Sequence, residues 1–187
     1  MPARPIMLSV ATQPDRLECE PGRPQVNANI RWIRSAMSSN YGLEDLRSSV
    51  ANAALCVPAI SEWTIGMHVH HCCLATVGFC RSLIASTPPA PRSRFSFVSA
   101  VILTTGRIPR GRGRTPDAGR PRQGVSSAEL LTLLDQSERF LTQVKDLDPK
   151  AWCRHPVFGV FDRDKTLRFI HIHNRHHLRI ISDIVAA

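Results

Sequence analysis

TLRFIHIHNRHHLRIISDI, residues 166–184, is the stretch whose reading decides the fold. On an α-helix at about 100° per residue, His173 and His177 fall about 40° apart, with Phe169, Ile170, Ile180 and Ile184 on the same side. Lys165, Arg168, Arg175, Arg179 and Ser182 collect on the opposite side. The predicted helix has a wet face and an inward face that carries two imidazoles among aliphatic side chains.

A second stretch, WTIGMHVHHC at 63–72, supplies the complement. A helical face centred on His71 gathers Met67, Leu74, Ala75 and Gly78, so it is apolar and, near Ala75 and Gly78, narrow. Three inward histidines from two packed helices make a candidate metal site. Each buried ring needs a hydrogen-bonding partner, and one divalent cation would satisfy all three together. The spacing HxxxH is common, so spacing alone leaves two readings equally open, a metal site or three separately hydrogen-bonded core histidines. The other histidines fare worse in angle. His171 is expected in solvent, His176 on the border, and His70 is turned about 100° away from His71. Cys72 and Cys73 lie about 100° and 200° from His71, so they are expected to be packing thiols rather than ligands.

Working outward, Ser61 or Thr64 caps the second of these helices, which ends near Ala85 where Thr87, Pro88 and Pro89 follow. An earlier helix is expected from Leu43 to about Cys56, closed by Pro58. FSFVSAVILTT, residues 95–105, is rich in β-branched side chains but is read as a short helix among helices. Ser126 or Ser127 starts a helix to about Leu147, with Leu130, Leu133, Leu134, Phe140, Leu141 and Val144 on its apolar side and Asp148 and Pro149 at its end. AWCRHPVFGVF is a connector, and Asp164 is the expected cap of the last helix. The expected fold is all-α: a four-helix bundle over 41–187, with a long basic crossover loop between the second and third main helices. Residues 1–40, with scattered prolines and no periodicity, are read as a poorly ordered extension.

Composition excludes several classes. With 187 residues and 43% hydrophobic content the chain has room for one cored domain. No apolar run reaches the roughly 18 residues of a membrane span, and MPARPIMLSV has no export core, so a cytoplasmic protein with no membrane partner is expected. The six cysteines form no CxxC pair. The net charge of +9 is concentrated: Arg92 to Arg122 holds eight arginines against Asp117 alone, which is +7 and leaves +2 for the rest.

The pair of stretches WTIGMHVHHC and HNRHHLRII resembles the DinB/YfiT-like superfamily of metalloenzymes. Trp63 with Thr64 matches that family's Trp-Ser/Thr helix start, His71 stands where its first metal histidine follows, and His173 and His177 match its HxxxH pair. GRIPRGRGRTP (106–116) and HPVFGVFDRD (155–164) further resemble an uncharacterised branch of it. The resemblance covers about 43–187 and implies a four-helix bundle with a divalent metal, whether Zn, Ni, Mn, Fe or Co, on His71, His173 and His177. It also implies a metal-dependent transferase or hydrolase acting on a small molecule, with a low-molecular-weight thiol as co-substrate in the better understood relatives. Three neutral imidazoles would leave an open position where a thiol or water loses its proton. Because each ligand must be unprotonated, affinity is expected to weaken as pH falls through about 6.5.

The basic loop offers a competing reading. PRGRGR at 109–114 is close to the Arg-Gly-Arg core with which short arms enter the minor groove of A·T-rich DNA, although Gly113 stands where a proline usually follows. Arg107, Arg110, Arg112 and Arg114 are equally candidates for holding an anionic substrate at the mouth of the metal site, and His155 for approaching it from a loop. A solvated loop and a surface histidine are the plainer alternatives. The expected partners are a small-molecule substrate and, as further options, nucleic acid or a second copy of the chain.

Overall fold

A computed structural model describes residues 40–92, 96–111, 115–155 and 158–187. The expected N-terminal extension and two of the candidate arginines, Arg112 and Arg114, lie outside them. The described residues are mostly helical. Helix α1 spans Leu43–Ser49, α2 Ile65–Ile84, α3 Phe97–Thr105, α4 Ser127–Lys145 and α5 Arg163–Ala186, with β1 at Trp152–His155 and β2 at Gly159–Asp162.

Each long helix begins where a side-chain oxygen can meet an orphan backbone N–H. Thr64 accepts from Met67 N–H at 3.1 Å to start α2, and Ser126 accepts from Glu129 N–H at 3.2 Å to start α4. Ser96 does the same for α3, accepting from Ser99 N–H at 3.2 Å. Helix α5 is capped by Asp162 rather than Asp164: Asp162 accepts from Lys165 N–H at 2.8 Å, while Asp164 pairs with Arg163.

Helix α2 is the centre. Every residue from Ile65 to Cys73 is buried, and α2 packs against α1, α4 and α5. Leu130, Leu134 and Val144 of α4 and Ile170, Ile181 and Ile184 of α5 complete the core beside Val69, Cys72 and Cys80. On α5 the wet face is where the periodicity puts it, since Lys165, Arg168, Arg175 and Arg179 are exposed. The close approach at the start of α2 is made by Gly66. Its N–H donates to the Ala53 carbonyl at 2.8 Å, and a Cβ there would stand 3.0 Å from that oxygen.

Besides the cap of α5, three expectations need correction. The first helix ends at Ser49, followed by a 3-10 turn at Val50–Asn52, instead of running to Cys56. The chain is not all-α, because the connector after α4 forms an antiparallel hairpin in register Trp152↔Asp162 and Cys153↔Phe161. Cys153 and Phe161 are the buried pair, one inward position in each four-residue strand. Trp152 ties the hairpin to the end of α2, donating from its backbone to Ser86 Oγ at 3.0 Å and from its indole to the Thr87 carbonyl at 3.1 Å. His155 consequently sits on β1 and not in a surface loop.

Candidate metal centre

The seam between α2 and α5 brings His71, His173 and His177 together, with one ligand atom from each within 4.8 Å of the others. His71 and His177 are buried and His173 is partly so. His71 Nε2 and His173 Nε2 face each other at 3.0 Å. Bare lone pairs at that distance repel, so a proton or a cation belongs between them.

The tautomer of His71 follows from its other nitrogen. Nδ1 lies 2.6 Å from the Gly119 carbonyl, which can only accept, so Nδ1 carries the proton and Nε2 is left with a free lone pair. Gly119 belongs to a 3-10 turn, Asp117–Gly119, in the arginine-rich segment between α3 and α4. Three residues on, Arg122 N–H donates to His70 Nδ1 at 3.0 Å. That segment is therefore pinned to α2 through two adjacent histidines, and it explains why His70 is buried although it faces away from the cluster.

Burial removes the charge from the cluster. It pushes His173 down to about 3, helped by the neighbouring His71, and His177 well below its ordinary value, helped by His173 and His71. His71 is also lowered by burial, against the Gly119 hydrogen bond that raises it. Neutral imidazoles are the form a divalent cation binds. Trp63 closes one side, with its ring stacked on His177 at 6.2 Å and tilted against His71 at 5.2 Å. The donor set, its protonation and its convergence fit a divalent metal.

The helical face drawn around His71, which takes in Met67 at i−4, passes over one residue here. His68 is buried, three residues before His71 and thus on the same flank of α2. Its Nδ1 lies 3.0 Å from His177 Nδ1, and its Nε2 lies 3.0 Å from Ser61 Oγ. Counting i−3 as well as i−4 from His71 would have found it.

The other candidates lie around this centre. Arg110 pairs with Asp183 on α5 at 2.7 Å, and Arg107 is exposed. Arg107, Arg110 and Arg175 are close enough to Arg179 that, after burial, they lower its pKa together. Burial, then Arg110 and Arg179, pushes His176 down to about 4, and its ring also hydrogen-bonds the Ile108 backbone. His155 packs among aromatics, 4.2 Å from the Phe158 ring and 5.4 Å from that of Phe169. Cys72, Cys73, Cys80 and Cys153 are free and buried, and burial raises all four thiols. Among the described residues no helix is long and apolar enough to cross a membrane.

With this geometry in place, the chain matches the model of the DinB superfamily over residues 43–181, and it belongs to that family. No curated protein and no solved structure matches it.

Proposed function

We propose that this DinB-family chain is a metal-dependent enzyme acting on a small molecule, with His71, His173 and His177 holding one divalent cation. Under this reading α1, α2, α4 and α5 form the four-helix bundle of a single domain over 41–187. The observation that carries it is the convergence of three neutral imidazoles whose ligand atoms lie within 4.8 Å, one of them already fixed in its binding tautomer by the Gly119 carbonyl.

A bound cation would supply Lewis acidity, lowering the pKa of a thiol or water at an open position. The chain's own residues do the rest. Trp63 shields the cluster on one side, and Arg107 and Arg110 lie on the segment that reaches α5 beside His176, suited to the carboxylate or phosphate of a substrate. A low-molecular-weight thiol is the co-substrate of the transferase version, and water takes its place in the hydrolase version. Zn, Ni, Mn, Fe and Co all accept imidazole ligands, so the metal is a matter for measurement.

Elemental analysis of protein purified without a histidine tag tests the reading, with one divalent metal per chain expected and none overturning it. Cobalt-loaded protein then separates the two versions. A new sulfur-to-metal absorption band on adding small thiols supports transfer, and an unchanged spectrum across several millimolar thiols counts against transfer and leaves hydrolysis or a non-catalytic bundle. The nucleic-acid alternative predicts submicromolar, A·T-selective duplex binding that falls steeply with salt and is lost in the double variant Arg110→Ala, Arg112→Ala.

A further inference from the structure

We propose that His68 is a positioning residue for this centre: it accepts a hydrogen bond from His177 Nδ1–H, leaving the Nε2 lone pair of His177 free to face His71 and His173. The inference rests on the metal reading above, but it concerns a residue outside the ligand set and can be judged without metal.

Two imidazole nitrogens 3.0 Å apart in a dry seam must share one proton, since two bare lone pairs repel and two N–H groups clash. In the neutral form, which is the one a cation binds, each ring carries a single proton on one of its two nitrogens. Two arrangements satisfy this. In the first, His177 Nδ1–H donates to His68 Nδ1, and His68 Nε2–H donates to Ser61 Oγ, 3.0 Å away. In the second, every proton is reversed, and His177 carries its hydrogen on Nε2. Only the first leaves His177 able to bind a cation.

A hydroxyl can donate or accept, and Ser61 can take the accepting part that the first arrangement requires. Its oxygen already accepts from Trp63 N–H at 3.2 Å and keeps a second lone pair for His68. That geometry also links the relay to the wall of the site, because the Trp63 ring lies 5.3 Å from His68 and stacks on His177. His71 and His177 are thus oriented by different means, one by a backbone carbonyl and the other by a second histidine backed by a hydroxyl. Metal-bound histidines generally hold their second nitrogen in this way, and losing the partner weakens metal binding by about 10- to 100-fold.

The test uses the full chain, labelled with nitrogen-15 at histidine, in zinc-free and zinc-loaded forms. Long-range proton–nitrogen correlation spectra show which ring nitrogen carries the hydrogen. The zinc-free wild type is expected to show His177 protonated at Nδ1 and His68 at Nε2; a His177 Nε2–H tautomer overturns the proposal. In zinc titrations His68→Gln, whose amide oxygen can still accept, is expected to stay within a few-fold of wild type, while His68→Phe weakens zinc by about 10- to 100-fold. Wild-type affinity in His68→Phe also overturns the proposal. Should that variant fail to fold, the wild-type tautomer decides alone. If the wild type takes up no zinc, the metal reading fails, and the His177 tautomer still decides what His68 does.

Discussion

His155 and His173 are both histidines that burial keeps neutral, lowered to about 4 and about 3, yet their surroundings differ in kind. His155 has aromatic neighbours: Phe158 at 4.2 Å, Phe169 at 5.4 Å and Phe79 at 5.7 Å, with Phe158 N–H donating to its Nδ1 at 3.2 Å. His173 faces the Nε2 of another neutral ring at 3.0 Å, with His177 4.7 Å away between ring centroids. The first is an imidazole used as a flat packing element, its Nδ1 satisfied by a backbone N–H. In the second, a nitrogen needs something that the protein alone supplies only by sharing a proton. A lowered pKa is common to both, so it does not distinguish a site from a core; convergence of lone pairs does.

The sharpest way to break this contrast is to delete one member of each region. His173→Ala or His177→Ala is expected to abolish stoichiometric zinc, whereas His155→Ala and His171→Ala retain it, as read by elemental analysis and calorimetric titration. Equal loss in His155→Ala would mean that the hairpin side also builds the site.

Phe169 is the wall between the two regions, with ring contacts to His155 at 5.4 Å and to His173 at 6.1 Å. Phe169→Ala is expected to cost about 3–5 kcal/mol in denaturant unfolding through the cavity it leaves. It should also weaken zinc, because His173 loses one of its packing surfaces.

Acid provides a graded version of the same test. His68 and His173 are held near about 3 and His155 near about 4, all below the unfolded value. Below about 6.5 the unfolded chain takes up protons that the folded chain refuses. The stability of the metal-free protein is therefore fully present above about 6.5 and falls toward the folded values, by about 1.4 kcal/mol per pH unit per group. His155→Phe should make this decline shallower by one group's slope between about pH 6.5 and pH 4, measured by urea unfolding at a series of pH values. For the same reason, protons should begin to compete for the metal site at a lower pH than the ordinary histidine range. The smallest expected effect is at the helix start that aims the cluster: Thr64→Ala should cost about 1 kcal/mol and leave metal stoichiometry unchanged.

Much of the architecture is readable from the residues. The three inward histidines follow from helical angle alone, because α2 and α5 are long, regular and capped by side chains that the sequence displays. Less legible are the elements decided by few residues or by distant ones. The hairpin needs only Cys153 and Phe161 to face inward, too short an alternation to outweigh a helical context. The burial of His70 depends on Arg122 N–H, 52 positions away, and no local pattern signals that. Asn174 is likewise fully buried, donating to the Tyr41 carbonyl at 3.1 Å from what periodicity alone would treat as an arbitrary polar position. His68 escapes for another reason: the signal is present, but it lies on the i−3 side of His71.

Gly66 gives the fold a way of being detuned from outside the site. Helix α2 behaves as a rod clamped near one end, where the backbone of Gly66 rests so closely on Ala53 that a methyl group would need its neighbour to give by a few tenths of an ångström. His68 and His71 follow two and five residues along, the farther about 7.5 Å down the axis. Gly66→Ala would add nothing to the histidines and remove nothing from them, yet it would press the rod that carries them against Ala53. It is a change of aim rather than of chemistry, made at a point that touches none of the three rings.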